Sequence, residues 1–438
     1  MKIRSYMTMI LTVLSILCFV NLSFAREYFV ARGGNDSNQG TFERPFLTIN
    51  KAARVAKAGD KVLVRGGIYK ERVLPWNSGS PGAYVTFQNY GNEHVTIDAS
   101  NLGQGIILWG VSYIKVKGFT VIGSINSCIH IHDHKDVPDK GSDNNVIEGN
   151  IVHDCGTSGN NGLYIGGHGN TIRNNVSYLN GYQGSNRRAH GIYVLGNNNL
   201  VETNTIHSNA RIGIRMEGRN NIITENTIHD NKEYGIAVWV DAPLEAMNIF
   251  IQKNLIVNNA KGGIRIWGEG SGGKPDTIYV YNNTIVNSPG EEGLVITGGA
   301  KNMKIKNNII MGQFTKQLIG TDSQSVQGYE EDFNIFYGSG FFGYNSVLYN
   351  TFDQYRSASS WGTNSMSGDP QLRPDYTLSP GSIAIDKGTN VGLPFNGNAP
   401  DIGAFESTQP LAPPANLRLG LPLKENRGLE ALSIPEAA

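Results

Sequence analysis

The sequence predicts an all-β fold, a single-stranded parallel β-helix (solenoid) with a short capping helix at its N-terminal end. Between residues 144 and 312 an Asn recurs every 22 to 29 residues, at Asn150, Asn175, Asn204, Asn226, Asn254, Asn283 and Asn308. Strand-like segments of a second pattern lie between these Asn residues: GLYIGG, GIYVLG, GIRMEG, GIAVWV, GIRIWG and GLVITG. Two short strand-like pieces per period of this size indicate coils that bury their apolar side chains only by stacking on one another.

The periodicity of the apolar residues distinguishes this solenoid from leucine-rich and helical ones. Apolar residues alternate with period two, as in Ile192 and Val194 or Ile264 and Ile266, and no segment of this region keeps a helical period. Asn tolerates left-handed backbone at turns, and its side chain can bond to the coils above and below. Asn residues that only marked polar loops would not keep this register with the Ile and Val pairs. In the preceding segment, YIKVKGFTVIG, we place Gly118 at the Asn position.

Residues 1–25 have the pattern of a secretory signal peptide. Lys2 and Arg4 precede an apolar run at residues 9–20, and the tripeptide SFA offers a cleavage site before Arg26. No later stretch is long and apolar enough to cross a membrane. We therefore expect a secreted protein, exported to the periplasm or to the outside of a Gram-negative cell.

The charge balance argues against two classes of partner. Removal of Lys2 and Arg4 with the signal peptide leaves 35 of the 37 basic residues beside 37 acidic ones, so the mature net charge is 35 − 37 = −2. This argues against recognition of nucleic acid or of an anionic membrane by bulk charge. The 54 Gly and 17 Pro fit a turn-rich β protein, which we expect to be a monomer.

Two cysteines, Cys128 and Cys155, remain after the signal peptide. Export permits a disulfide, but we place the two residues at different corners of neighbouring coils. Whether they form a bridge therefore stays open. The chain has no C-x-x-C motif, which argues against a metal role for the cysteines.

The mature chain begins with an N-terminal strand and a capping helix, residues 26–60. The segment TINKAARVAKAGD predicts the helix, with Thr48 as its N-cap and Gly59 at its end. A helix in this place covers the open end of the solenoid, where unpaired strand edges invite aggregation. Asp36 and Asn38 lie in the loop before the helix, and their chemistry fits either a turn or a calcium-binding loop.

The coils occupy residues 61–312. Two insertions lengthen coils next to the same strand column, HDHKDVPDKGSDNN (132–145) and QGSNRRAH (183–190). Sites concentrate in loops of this kind. In residues 313–406 the repeat pattern weakens, and we expect irregular terminal coils and a C-terminal cap there. Residues 407–438 are Pro-punctuated and aperiodic, which predicts a flexible tail.

Residues 28–69, YFVARGGNDSNQGTFERPFLTINKAARVAKAGDKVLVRGGIY, resemble the N-terminal signature of secreted right-handed parallel β-helix proteins of the pectate-lyase-like superfamily. Residues 369–390, DPQLRPDYTLSPGSIAIDKGTN, and 400–406, PDIGAFE, are similar to the C-terminal end of the same group. Together with the coils, which look like PbH1 repeats, this resemblance covers nearly the whole mature chain. It implies a right-handed β-helix. Many members of the group are polysaccharide lyases or uronate epimerases, although the fold hosts many chemistries.

Several motifs of known families are absent. One pectate lyase family that this N-terminus resembles has an aspartate cluster for calcium and a lysine base, where this chain reads NNGLYIGG and AHGIYVLG. The pectin-hydrolase motifs and the DPHE signature of alginate epimerases are also missing. Hydrolysis generally requires two carboxylates facing the groove. The strand columns offer Glu217 alone, with Asp133 and Asp241 at strand ends.

Alternate residues of the strands between the Asn segments point outward and form two columns on one face of the solenoid. The first column is Ile107, His130, Tyr164, Tyr193, Arg215, Ala237, Arg265 and Val295. The second is Trp109, His132, Gly166, Leu195, Glu217, Trp239, Trp267 and Thr297. Neighbours in a column are ~4.8 Å apart. Aromatic rings offer stacking surfaces and Arg binds carboxylates bidentately, so this face suits an anionic sugar polymer. The alternative is that the rings pack under loops or the cap.

The sharpest cluster on this face is His190, Tyr193 and Arg215. Breaking a uronate polymer by β-elimination requires a base, an acid for the leaving oxygen, and a cation on the carboxylate. We assign these roles to His190, to Tyr193 with its phenol pKa lowered by the neighbouring Arg, and to Arg215. The predicted substrate-binding residues are His130, His132, Tyr164, Arg187, Arg188, Glu217, Trp239, Arg265 and Trp267. The non-functional alternatives are that His190 is a hydrogen-bonding turn residue and that Tyr164 and Tyr193 form a simple aromatic stack.

A third column, three residues after the Asn ladder, holds His153, Tyr178, His207 and His229. Outward His residues at coil spacing could bind a transition metal, but Tyr178 separates His153 from the others. We favour surface polar filling and predict no metal ligands. The sequence requires no cofactor, although Ca²⁺ remains possible.

These observations predict a secreted polysaccharide lyase that cleaves an acidic, uronic-acid-containing polysaccharide by β-elimination. One alternative is a polysaccharide C5-epimerase acting on a similar polymer, because epimerisation shares the proton abstraction. The other is a non-catalytic glycan-binding β-helix protein of the periplasm or cell surface.

Overall fold

The computed structural model describes residues 25–132, 141–182, 189–240, 246–268 and 273–407. The predicted signal peptide up to residue 24 and the predicted tail from residue 408 lie outside this part of the chain. The described chain is a parallel β-solenoid, as the sequence predicts, and it contains two short helices. Neither of these helices is long and apolar enough to span a membrane.

Parallel pairing between successive coils builds a 13-stranded sheet and a 20-stranded sheet. We call the first sheet 1, and we call the two parts of the second sheets 2 and 3, in the order in which each coil enters them. Sheet 1 contains the strands Glu27–Val30, Lys61–Val64, Val85–Asn89, Ile114–Lys117, Val146–Glu148, Thr171–Arg173, Leu200–Glu202, Gly218–Arg219, Ile222–Thr224, Ala246–Gln252, Asp276–Tyr281, Lys301–Lys306 and Glu330–Asp332.

Sheets 2 and 3 follow sheet 1 in each coil. Sheet 2 contains Gly67–Tyr69, Val95–Asp98, Thr120–Ile122, Ile151–His153, Val176–Tyr178, Thr205–His207, Thr227–His229, Leu255–Val257 and Met366–Ser367. Sheet 3 contains Ile106–Leu108, Ile129–Ile131, Leu163–Ile165, Ile192–Val194, Ile214–Met216, Tyr234–Val240 and Gly262–Gly268, with Val347–Tyr349 pairing antiparallel at its end. Three long strands run through both sheets: Thr284–Thr297, Ile309–Thr321 and Ile335–Tyr344.

Each coil therefore has three strands, where the sequence pattern indicated two. The missed strand belongs to sheet 1 and ends just before the ladder Asn, as Thr171–Arg173 does before Asn175. Only its central residue, Ile172, is buried. A three-residue strand with one buried position is too short to show a period of two, so it has no separate signal in the sequence.

The core is a stack of apolar pairs that point into the solenoid. In sheet 3, Leu163 and Ile165 lie beside Ile192 and Val194 of the next coil, and all four are fully buried. Burying such a side chain contributes about 1.5–3 kcal/mol relative to leaving it exposed. No coil can gain this alone, because its pairs are covered only by the coils on either side.

Helix α1, Ile49–Val55, packs its buried face against the first coil, as the sequence predicts. The Thr48 hydroxyl accepts a hydrogen bond from the backbone N–H of Lys51 at 3.1 Å, which is the expected N-cap. The helix ends four residues earlier than expected, because Ala56 is already extended. Gly59, predicted to end the helix, lies in the following turn with a φ of +88°.

The loop before α1 is held by Asp36. Its carboxylate accepts hydrogen bonds from the backbone N–H groups of Leu47 and Thr48, both at 2.9 Å, and from the Thr48 hydroxyl at 2.8 Å. Asn38 donates its side-chain amide to the carbonyl of Pro45 at 2.9 Å. Both side chains thus perform the turn chemistry that the sequence allows for.

The predicted Asn residues form a continuous hydrogen-bonded ladder between sheets 1 and 2. At Asn204 the backbone N–H and the side-chain amide both donate to Oδ1 of Asn226, at 2.9 and 3.0 Å. The same amide also donates to the carbonyl of Ile172 at 2.9 Å. The ladder continues beyond the predicted last member to Asn334, whose N–H donates to the Ser365 hydroxyl.

Two further Asn ladders were not recognised in the sequence. One precedes the strands of sheet 1, at Asn145, Asn170, Asn199 and Asn221. The other lies between sheets 2 and 3, at Asn180, Asn209, Asn231, Asn259 and Asn287. Every one of these residues is buried, so each replaces water with bonds to neighbouring coils.

The placement of Gly118 at the ladder position is wrong by one residue. Thr120 pairs with Ile151, so Phe119 is the residue that aligns with Asn150. Phe119 is buried, and its N–H donates to Oδ1 of Asn150 at 3.0 Å. Gly118 instead lies at a left-handed turn position, with a φ of +76°.

Cys128 and Cys155 form a disulfide, and the assignment of the two residues to different corners is wrong. Cys155 occupies the position of the ladder between sheets 2 and 3, because its N–H donates to Oδ1 of Asn180. Cys128 directly precedes the sheet 3 strand of the preceding coil. The two residues therefore share one corner on adjacent coils, with their Cα atoms 5.5 Å apart.

The end of the solenoid is closed by helix α2, Phe352–Ser359, which the sequence did not predict. Phe352 and Tyr355 of α2 pack against Phe336 and Phe342 of the last long strand. The segment after residue 368 bonds back to earlier coils. The Asn307 side chain donates to the carbonyl of Thr389, and that of Asn282 to the carbonyl of Asp401.

We expect Asn226→Ala to destabilise the solenoid. The change leaves the backbone N–H of Asn204 and the carbonyl of Val201 buried without their partner, at a cost of about 1–3 kcal/mol each. The free energy of unfolding, measured by urea titration with circular dichroism, should fall by roughly 2–6 kcal/mol. Asn396→Ala, at an exposed Asn outside the ladders, is the control and should change it by about 0.5 kcal/mol or less. Equal values for both variants would contradict this role of the ladder.

Candidate functional site

The outward columns predicted on sheet 3 are present in the predicted register. In the first column His130 pairs with Tyr164, Tyr164 with Tyr193, and Tyr193 with Arg215. Ala237 and Arg265 follow on the next two coils. In the second column Trp239 pairs with Trp267, and Trp267 with Thr297. The sequence therefore predicted which side chains are neighbours on this face.

The aromatic rings of this face stack on one another and on a guanidinium group, so part of their flat surface is already covered. His130 stacks on Tyr164 with ring centroids 4.5 Å apart. Trp239 lies between Arg215 of the preceding coil, at 4.3 Å, and Trp267 of the next, at 4.6 Å. Another pair, at Trp109 and His132, is 3.9 Å apart, and Trp109 is 48% exposed.

The cluster at Tyr193 is organised by a buried carboxylate, Glu217. The Tyr193 hydroxyl donates to Glu217 Oε1 at 2.6 Å, and a terminal nitrogen of Arg215 donates to the same oxygen at 2.6 Å. The Arg215 guanidinium also lies over the Tyr193 ring, 4.7 Å from its centroid. The side chains of Arg215 and Glu217 are only 8% and 0% exposed. We call Tyr193, Arg215 and Glu217 the first cluster.

This arrangement corrects two expectations from the sequence. Glu217 does not present its carboxylate to a groove, because it is buried beneath its partners. Arg215 is bonded to a carboxylate of its own chain, so it does not wait as an unoccupied clamp. Tyr193 and Arg215 are in contact as predicted, but the negative charge of Glu217 and the positive charge of Arg215 compensate each other.

The pKa of Tyr193 moves in the opposite direction from the one predicted. Burial raises the pKa of the phenol well above its ordinary value, and the Glu217 carboxylate raises it further. Arg215 lowers the pKa, but by less than the other two causes raise it. The hydroxyl is therefore held in its protonated form.

His190 lies at the edge of the same cluster and is buried. Its ring is 5.7 Å from that of Tyr193, and its backbone N–H donates to the side chain of Asn161 at 3.0 Å. Burial lowers the pKa of the imidazole well below its usual value, and the charges of Arg211 and Arg215 lower it further. Its Nδ1 has no hydrogen-bond partner in the described part of the chain. His190 is therefore a neutral imidazole.

A second cluster, which we define as Tyr234, Arg265, Glu292 and Thr297, repeats this arrangement on later coils. Arg265 donates to Glu292 Oε2 at 2.7 Å and to the Thr297 hydroxyl at 3.0 Å. The Tyr234 hydroxyl donates to the same Glu292 oxygen at 3.3 Å. Burial and the Glu292 charge raise the pKa of Tyr234 well above its ordinary value.

Several residues of this face were missed in the sequence. Arg211 lies over the Trp239 ring at 5.0 Å and pairs with Glu233 at 3.2 Å, and Glu292 belongs to the second cluster. Arg211 and Glu233 precede sheet 3 strands, Glu292 lies inside the long strand Thr284–Thr297, and all three are outside the two columns. Tyr234, which the sequence analysis also did not single out, holds the position of Glu292 two coils earlier.

Four residues considered from the sequence lie outside the described residues: Asp133, Arg187, Arg188 and Asp241. The structure places the remaining predicted substrate-binding residues on sheet 3. Their contribution to substrate binding stays a prediction.

The third column lies on sheet 2 as a continuous stack of rings. His153, Tyr178, His207 and His229 follow one another with centroids 4.7, 5.0 and 4.8 Å apart. Burial, and next the charge of His229, lower the pKa of His207. Across the described ranges no group of three or more His, Cys, Asp or Glu side chains is arranged to hold a metal ion.

We expect Arg215→Met to destabilise the protein, because Glu217 loses its guanidinium partner inside the structure. Removing one member of a buried ion pair costs about 3–5 kcal/mol, which a urea titration measures as a lower free energy of unfolding. The control is Lys316→Met at the ion pair with Glu291, whose side chains are 58% and 39% exposed. That change should cost about 0–1 kcal/mol. A loss as small for Arg215→Met would contradict the burial of the first cluster.

Comparison with known proteins places the fold. Residues 28–187 match the family model described as Pel9A-like, right handed beta helix region. A stretch of 157 residues, 35% of this chain, is 30% identical to "Uncharacterized protein YwoF" of Bacillus subtilis (strain 168), and the chain covers 28% of that relative's length.

Two solved structures share the architecture at low identity. The pectate lyase Pel9A is 19% identical, with a TM-score of 0.58 over 88% of this chain and 97% of that one. The complex of XylC with xylose is 17% identical, with a TM-score of 0.54 over 73% of this chain and 76% of that one. The fold that the resemblance implied is thereby confirmed: the protein is a right-handed parallel β-helix, and residues 28–187 match the Pel9A-like family model.

Proposed function

We propose that this protein is a secreted polysaccharide lyase that cleaves an acidic, uronic-acid-containing polymer by β-elimination on sheet 3. The observation that carries the proposal is the contact of His190, Tyr193 and Arg215 on adjacent coils of one face. These three supply a neutral base, a protonated acid and a positive charge within one cluster. The shared fold with a pectate lyase supports the substrate class without identifying the polymer.

His190 is the proposed base. Its lowered pKa keeps the imidazole unprotonated at neutral pH, so one ring nitrogen has a lone pair for the proton next to the uronate carboxylate. A base with a lowered pKa is weak, and proton removal therefore depends on stabilising the charge that builds up on the carboxylate. The positive charges of Arg211 and Arg215 near His190 can supply part of that stabilisation.

Tyr193 is the proposed acid. The carbon–oxygen bond of the glycosidic linkage breaks as the proton leaves the sugar, and the departing oxygen takes the phenolic proton. Its raised pKa ensures that the proton is present beforehand. Arg215, which lowers the pKa of Tyr193, stabilises the phenolate that remains. A proton returned from His190 to Tyr193 through solvent restores both groups.

A second candidate function is glycan binding without catalysis. The pairing of Arg215 with Glu217 favours it, because the guanidinium at the proposed reaction site is already bonded to a carboxylate of its own chain. A C5-epimerase would share the proton abstraction and return a proton to the opposite face of the sugar. Cleavage gives an unsaturated product, epimerisation gives an altered polymer, and binding alone gives no product, so one set of assays separates the three.

Incubation of the protein with a panel of uronate polymers should produce the ultraviolet absorbance of an unsaturated uronate. We expect His190→Ala and Tyr193→Phe each to reduce this activity by about 100-fold or more, the usual contribution of a positioned acid or base. Tyr178→Phe is the matched control, because Tyr178 belongs to the ring stack on sheet 2. That variant should retain full activity.

Other outcomes decide between the alternatives. Deuterium uptake into the polymer from heavy water without an unsaturated product would indicate an epimerase. Binding with neither signal would indicate a glycan-binding protein. Full lyase activity in both His190→Ala and Tyr193→Phe would show that the reaction takes place elsewhere.

The pH dependence of kcat/KM tests the two roles separately. A base acts when it is deprotonated, so the lowered pKa of His190 places the acidic limb well below pH 6.5, the ordinary value for His. An acid acts when it is protonated, so the raised pKa of Tyr193 places the alkaline limb above pH 10.0, the ordinary value for Tyr. We expect kcat/KM to be constant between these limits. A limb inside this range would contradict the assignment of the corresponding residue.

A further inference from the structure

The second cluster repeats the first along the solenoid axis. In each cluster one glutamate carboxylate accepts both a tyrosine hydroxyl and an arginine, namely Glu217 and Glu292. In each the arginine lies over a tryptophan, Arg215 over Trp239 and Arg265 over Trp267. The two tryptophans stack on each other and join the clusters. Nothing in the reaction proposed above uses the second cluster.

The distance between the clusters is fixed by the coils. Arg215 pairs with Ala237, and Ala237 with Arg265, so the two arginines are two strand spacings apart, or about 10 Å. Two residues of an extended sugar chain advance by a similar length. Ala237 lies between the two arginines in the column, and its methyl side chain is fully buried. A polymer lying along the axis would thus pass both clusters with one sugar residue between them.

The two clusters differ in their exposure. In the second, the side chains of Arg265 and Glu292 are 21% and 10% exposed, against 8% and 0% for Arg215 and Glu217. Arg265 has five N–H donors, and within the described chain its Nε makes no hydrogen bond. The second cluster therefore combines a guanidinium held by two hydrogen bonds with a side chain that remains partly exposed.

We propose that the second cluster is a binding subsite for the carboxylate of a uronic acid residue, two sugar positions away from the residue that reacts at Tyr193. Arg265 binds the carboxylate, as guanidinium groups commonly do, while Glu292 and Thr297 hold the guanidinium in place. This inference rests on the proposed function and adds the polymer's direction, along the solenoid axis. It makes Arg265 a binding residue that takes no part in the chemistry.

The test is equilibrium binding of defined oligosaccharides by calorimetry in a His190→Ala background. The probes are galacturonate and alginate oligomers of two and six residues, and the six-residue oligomers with their carboxyl groups reduced to alcohols. We expect Arg265→Met to weaken binding of the acidic six-residue oligomers by about tenfold, worth about 1.4 kcal/mol. Binding of the two-residue and carboxyl-reduced oligomers should not change.

Two further variants guard against a structural explanation. Lys316→Met removes an exposed cation on the coil next to Glu292 and should leave all affinities unchanged. Arg265→Lys keeps the charge without the forked donors, and should recover only part of the affinity. Thermal melting by circular dichroism establishes that each variant is folded before its binding is compared.

The outcomes separate this inference from the proposed function. Selective loss of acidic six-residue oligomers in Arg265→Met supports the subsite, even if the wild-type protein cleaves nothing. Unchanged affinity, or an equal loss for the carboxyl-reduced oligomers, overturns the subsite while leaving cleavage by the wild-type protein intact. A wild-type protein that neither binds nor cleaves any acidic probe overturns both.

Discussion

The structure depends on hydrogen bonds between each ladder Asn and the backbone of the neighbouring coils. A solenoid must turn its chain three times per coil, and each corner exposes N–H and carbonyl groups that the sheets do not pair. The amide of Asn offers both a donor and an acceptor on a short side chain. At Asn204 it satisfies a carbonyl of one coil and reaches the Asn of another. The polar backbone groups at the corners are thereby paired within the protein.

This constraint explains why so much of the arrangement could be predicted. Once a corner recurs in the sequence, every residue at a fixed distance from it recurs at the same place in space. The pairing of Tyr193 with Arg215 and of Trp239 with Trp267 follows from counting residues after the corners. A period of two then assigns each side chain to the inside or the outside of the solenoid. Neighbour relations along a column are thus encoded locally.

What could not be predicted depends on where side chains point and on residues outside the columns. Glu217 occupies an outward position, yet it folds under Tyr193 and Arg215. That burial reversed the expected direction of the Tyr193 pKa, because the cost of burying a phenolate exceeded the attraction of Arg215. Cys155 was misplaced for a related reason: its corner carries a ladder that was not recognised. The local periodicity of the sequence shows neither the direction in which a side chain points nor the contacts of residues outside the recognised columns and ladder.

Among the described residues, each ladder Asn forms hydrogen bonds outside its own coil only with the coils directly before and after it. Because of this, one coil can be added or removed without breaking the ladder. Duplicating the coil that contains Ala237 would preserve every ladder bond and move Arg215 and Arg265 apart by one strand spacing. Deleting that coil would bring the two arginines together. In this architecture the length of the binding face can therefore change by one coil at a time, through duplication or loss of coil-sized segments. Point mutations instead change which ligand group each coil binds.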